Sequence, residues 1–182
     1  VDDLTDVVVA TERLVVRPWR HAEAARLLDI LSRVEVVQWL DDGPPQLMAD
    51  LDEAHARIDR YRGLATAPPI GFWAVVPRAT GMPVGSVLTL ELPEAEAGEV
   101  EIGWHLHPDS WGQGWAREAA AAVLARAFDH GLDEVWALTH VTNHPSRAVA
   151  SALGMRDLGV HTWWYDEPSQ VFRANRTTHP RP

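Results

Sequence analysis

The chain contains no cysteine, which excludes disulfides, a thiolate nucleophile and any zinc site built on thiolates. Positive charge is scarce: 16 basic residues stand against 26 acidic ones, for a net charge of −10. Such a balance lacks the basic footprint that general nucleic-acid binding needs. It would instead steer a basic acceptor, an amine or a cationic peptide, toward the protein. No apolar run is long enough to span a bilayer, and no basic-then-apolar leader opens the sequence. A cytoplasmic protein without membrane contact is the expectation.

What remains is an ordinary globular balance of 46% apolar and 23% charged residues over 182 positions. That is one domain, 1–182, with an ordered core over about 11–176 and loosely held ends at 1–10 and 177–182. A homodimer is left open.

Alternation over Thr11–Trp19 reads as a first strand stopped by Pro18. Helical spacing follows twice, at Ala24, Leu27, Leu28 and Leu31, then at Leu47, Leu51, Ala54, Ile58 and Tyr61. Trp39, in the connection between them, reads as an anchor of core or lid. Gly71–Val76 and Pro83–Leu92 form a hairpin, and Gly98–His107 a further strand. A helix to about His130 buries Ala120, Val123, Leu124, Ala127 and Phe128 and is capped by Gly131. Val135–Thr142 is parallel to the strand before that helix, because a helical crossover joins them. A short helix from Asn143 to Leu153 and strands near Val160–Tyr165 and Val171–Asn175 complete an α+β order with a mixed sheet.

The stretch EIGWHLHPDSWGQGWARE, Glu101 to Glu118, passes from a strand through a tight loop into a helix. Gly114 and Ala116 are small enough for the backbone to approach a ligand closely. The following helix offers unpaired N–H groups and the positive end of its dipole, a cradle for a diphosphate. A dinucleotide fingerprint is excluded by the missing third glycine and ribose-binding acid, and a P-loop by the missing Gly-Lys-Ser/Thr.

Trp111-x-x-Gly114-x-Ala116 resembles the acyl-CoA pyrophosphate loop of the GNAT acyltransferase superfamily, with Trp in place of the usual Gln or Arg. Thr11 to Trp19, Glu101 to Ala119 and Asn143 to Met155 are similar, in this order, to blocks of its ribosomal-protein N-acetyltransferase (Rim-type) branch. The resemblance implies a mostly antiparallel central sheet with a splayed parallel strand pair, flanked by helices. It implies acetyl-CoA as cosubstrate, with the pantetheine arm pairing along the backbone of Leu106 and His107. Trp111, Gly112, Gln113, Gly114, Trp115 and Ala116 would hold the pyrophosphate, with Arg117 nearby and Asn143 contributing from the second splayed strand.

Acetyl transfer to an amine needs a neutral amine and a proton for the departing thiolate. At pH 7, deprotonation costs an α-amine of pKa ~8 about 1 kcal/mol and a lysine nearly ~5 kcal/mol. Glu101 is the first candidate base, with Glu99, His105, His107 and water as alternatives. Glu99, Glu101, Gly103, His105 and His107 alternate onto one strand face. Ser146 is the candidate hydrogen-bond donor to the thiolate, since Ala150 stands where many superfamily members carry Tyr. His105 and His107 lack a third ligand fixed by spacing, so no metal is expected. The expected activity is direct acetylation of a primary amine, on a small molecule or a peptide N-terminus. The alternative is a non-catalytic acyl-CoA-binding or sensing domain.

Overall fold

Period-two alternation places the first strands. In the computed structural model, which describes residues 6–40, 43–95 and 98–177, Leu14–Arg17 (β2) buries Leu14 and Val16 completely. It pairs antiparallel with Val9–Ala10 (β1) on one side and Gly71–Pro77 (β3) on the other. Val9 and Ala10, expected within a loose lead-in, are thus held by the sheet, and Val8 and Val9 pack on the core. Residues 1–5 and 178–182 of the expected loose ends lie outside the described residues.

Gly85–Glu91 (β4) and Val100–Leu106 (β5) extend the sheet antiparallel. Glu134–His140 (β6) joins it parallel to β5, and Ser169–Asn175 (β8) and Arg156–His161 (β7) close it. The strand order is β1-β2-β3-β4-β5-β6-β8-β7, with β5–β6 as the parallel pair, so the α+β expectation holds.

Alternation sends Trp73 and Val75 to one face of β3 and Ala74 and Val76 to the other. The first face is covered by Trp115–Asp129 (α4) and His144–Ala152 (α5). The alanines of α4, with Ala119, Ala120 and Ala127 fully buried, let its backbone lie close to the strands. The second face carries Ala24–Leu31 (α1), the single turn Val34–Val37 (α2) and Leu51–Leu64 (α3).

Two sequence expectations change. The helical spacing predicts an amphipathic helix traced from Leu47 and Leu51, but both are about half exposed. The helix starts at Leu51, with Asp50 accepting from the Glu53 amide, and its buried stripe is Ala54, Ile58 and Tyr61. The strand expected over Val160–Tyr165 occupies Arg156–His161 instead. Its register shifts between Asp157 and Gly159, and Trp163, Trp164 and Tyr165 leave it for the following loop, where Trp163 and Trp164 meet Trp136 edge-on. Their apolar density imitates a strand.

Candidate active site

β5 and β6 touch through one register pair, Glu101 opposite Trp136, and then diverge. The divergence opens a cleft of about 780 Å³, within the range of small-molecule sites. Along β5, Ile102 and Leu106 enter the core beneath α4. Glu101, Gly103 and His105 take the opposite face, toward α3. That face also bears Phe72, 6.0 Å from the His105 ring and stacked on Tyr61 of α3.

The loop after β5 is shaped by two glycines in left-handed conformation, Gly112 with φ of 75° and Gly114 with φ of 76°. A side chain at Gly112 would meet nothing within 4 Å, and one at Gly114 only Arg13, at 3.6 Å, so the loop's outer surface is open. Gly114 caps α4 without any side-chain acceptor, and the first amide to bond back to it is that of Glu118, at 3.1 Å. The amides of Trp115, Ala116 and Arg117 therefore lack intrahelical acceptors. The exposed guanidinium of Arg117 makes no ion pair among the described residues. These donors, the open turn and the cation suit a diphosphate such as that of acetyl-CoA.

The loop is anchored from behind by residues that sequence reasoning did not single out. Arg13 of the strand-opening segment donates to the Gln113 carbonyl at 3.1 Å and binds Glu118 through Nε at 2.7 Å. Thr11 donates to the same carboxylate at 2.5 Å. Burial opposes charge on Glu118, but the bonds from Thr11 and Arg13 prevail and hold its carboxyl below the usual range. The signal lay in two separate motif blocks that turn out to bond each other.

Trp111, at the position where the resemblance expects Gln or Arg, uses its indole N–H to hold the Leu106 carbonyl at 2.9 Å. Leu106 lines the cleft. His107 does not fit the role of a backbone partner. Its amide donates to Val84 O at 2.8 Å, on the β4 side and away from the split, and its carbonyl accepts from the Ser110 amide at 2.9 Å. Alternation along β5 then directs the backbone of Trp104 and Leu106 toward the split. The His107 side chain is buried away from the cleft, between Asp109 at 2.7 Å and Asp29 at 3.3 Å, which also removes it as a base.

Glu101 lines the cleft beside the point where the strands part, and Tyr165, from the loop before β8, donates to it at 3.1 Å. Burial pushes its carboxyl up to about 7, with the Tyr165 bond offsetting part of that rise. Tyr165 was invisible to spacing arguments because it lies in an irregular loop 64 positions away. His105 is buried, and burial together with the Arg57 charge lowers its pKa to about 4. That is too low for an effective base at neutral pH, which corrects the expectation that its basicity suits the task. Glu99 lies outside the cleft lining.

On the other side of the split, Asn143 caps α5, its side-chain oxygen accepting from the Ser146 amide at 3.2 Å. Asn143 and Ser146 both line the cleft. Ala150 is fully buried in the core and leaves no room for a tyrosine there. Trp39 meets His140 edge-on at 5.8 Å and forms part of the wall. Among the described residues no three His, Cys, Asp or Glu side chains are grouped to hold a metal.

Residues 13–156 match the family model described as an acetyltransferase (GNAT) domain. The chain is 32% identical over 170 residues to the FsC-acetyl coenzyme A-N(2)-transacetylase of Aspergillus fumigatus, covering 87% of this chain and 68% of that protein. Its fold is similar to that of a GNAT-family acetyltransferase from Bacillus anthracis, with a TM-score of 0.77 at 20% identity, covering 93% and 98% of the two chains. It is also similar to the ribosomal-protein-S5-alanine acetyltransferase of Vibrio fischeri, with a TM-score of 0.76 at 17% identity, covering 96% and 100%.

Proposed function

The chain belongs to the GNAT acetyltransferase family, and from that premise we propose that Glu101 is the base with which it acetylates a primary amine. Acetyl transfer from acetyl-CoA is the activity of the family; the assignment of roles to residues is our reading. One observation carries it. A carboxyl raised to about 7 faces the cleft where β5 and β6 separate, fixed by the Tyr165 hydroxyl. At neutral pH about half of such a group is ionised, the compromise that proton transfer favours.

Acetyl-CoA supplies the activated acyl group. The amides of Gln113 through Arg117 hold its diphosphate, and the edge of β5 at Trp104 and Leu106 lines its pantetheine arm. Glu101 takes the amine proton, directly or through water, and Tyr165 orients it. Ser146, on the first turn of α5, donates a hydrogen bond to the departing thiolate. Asn143 fixes that turn. No covalent enzyme intermediate is needed.

Purified protein supplied with acetyl-CoA and a library of primary amines should release free thiol in an amine-dependent manner. Binding of acetyl-CoA with no thiol release for any amine would instead favour a sensing domain.

A further inference from the structure

The protein carries a net charge of −10, and all 16 of its cationic side chains are arginine. Three of them, Arg57, Arg60 and Arg117, line the cleft, against two carboxyl groups, Glu35 and Glu101, among the described residues. The local balance is therefore opposite to that of the whole molecule. Arg117 belongs to the loop at the start of α4. Arg57 and Arg60 do not: they stand on α3, over the other half of the cleft.

Neither has a strong partner of its own. Arg57 approaches Glu53 no closer than 3.9 Å and lies 6.0 Å over the Tyr61 ring. Arg60 is exposed and makes no ion pair among the described residues. His105 lines the same cleft, is 8% exposed, and its Nε2 has no hydrogen-bond partner among the described residues. A buried polar atom left unpaired is costly. The Arg57 charge is near enough to act on that ring. A planar guanidinium and a neutral imidazole lining one cleft offer two kinds of N–H to one anion, the recognition for which arginine is suited.

We propose that the acceptor amine also carries a carboxylate, held by Arg57 with His105 Nε2 and Arg60, while the amine faces Glu101. This rests on the acetyltransferase reading of the same cleft and narrows it to amino-acid-like acceptors. Glu101 and His105 lie four positions apart along β5, a backbone span of about 13 Å. Acids at more than one distance from the amine therefore need to be offered.

The test compares kcat/KM for leucine with isopentylamine, and for ε-aminocaproate with pentylamine, in wild type and in Arg57→Gln. Because amine basicity differs within each pair, the quantity read is the change in the acid-to-parent ratio between proteins. For at least one pair it should fall about tenfold or more in Arg57→Gln. It should hold in Arg156→Gln, which removes a charge outside the cleft lining. Equal ratios in wild type and Arg57→Gln would overturn the proposal. So would a loss of CoA affinity in Arg57→Gln by calorimetry, which would assign the arginine to the cofactor. Thiol release with the parent amines but not the acids would sink the carboxylate while sparing the acetyltransferase reading; no release with any amine would remove both. A measurement on wild type alone stands beside these. The N-acetyl product of the acid that responds, N-acetylleucine or N-acetyl-ε-aminocaproate, should move the His105 imidazole titration to higher pH by nuclear magnetic resonance, and a titration unmoved by both at saturation counts against the site.

Discussion

Two helices open on the same cleft, and their first turns are built in opposite ways. α4 starts at a left-handed glycine with no side-chain acceptor, and its leading amides face outward. α5 starts at Asn143, whose side chain takes the Ser146 amide for itself. One end keeps its backbone donors for a guest, and the other spends a donor on its own cap. In the proposed reading the first is a binding end and the second a positioning end, which presents the Ser146 hydroxyl.

The most severe way to break this contrast is to make the first end resemble the second. Gly114→Asp supplies an acidic cap that competes for the α4 amides and repels a diphosphate. Calorimetry should show a loss of CoA affinity of about hundredfold or more. Unchanged affinity in a folded variant would overturn the assignment of the loop.

Glu101 lies between the two ends, at the last point where β5 and β6 still touch. Glu101→Gln should lower turnover by about hundredfold at neutral pH, with little change in CoA affinity. In wild type the rate should rise with pH through an acidic limb centred near 7, as the raised carboxyl ionises. In the variant that limb should flatten, and wild-type turnover from pH 6 to 9 would exclude Glu101 as the base. The same shift carries a stability consequence of definite sign. Between 4.5 and about 7 the unfolded chain releases this proton while the folded protein retains it. Stability is thus fully present below the lower value and declines as pH rises through the upper one, by about 3 kcal/mol in all. Chemical denaturation at pH 5 and pH 8 should show that decline diminished in Glu101→Gln.

Smaller effects belong to the second end. Ser146→Ala should reduce turnover by about tenfold at most and leave the acidic limb in place, because a serine does not titrate there. Disappearance of the limb in steady-state profiles would show that Ser146 and Glu101 act as one unit. Asn143→Ala should cost about 1 kcal/mol of stability in thermal unfolding. A drop in CoA affinity as large as that of Gly114→Asp would erase the distinction between the ends.

Much of the α4 end was legible in the sequence, since a glycine-rich turn, a small residue and a helix start are contiguous. The strand order was legible for a similar reason, with periodicity and crossover length fixing β5, α4 and β6. The acceptor half was not. Tyr165 comes from a loop whose aromatic run reads as a strand, and Arg57 and Arg60 sit on a helix face that looks merely solvated. His105 and His107 share a sequence parity yet differ in fate. The strand ends at Leu106, and beyond it the His107 side chain accepts from the Asp109 amide rather than following the alternation. Residues brought together by tertiary packing leave no spacing to read.

The single bridge between β5 and β6 leaves two strand edges unpaired inside the molecule. At a protein's rim such edges are templates for other chains, and natural sheets blunt them with charge, proline or bulges. Here the adhesive edge is recessed instead. Trp39 and His140 stand at its wall, and the loop that carries Tyr165 closes on it. A hydrogen-bonding seam set back in a cleft is a poorer template for other chains than the same seam at a rim.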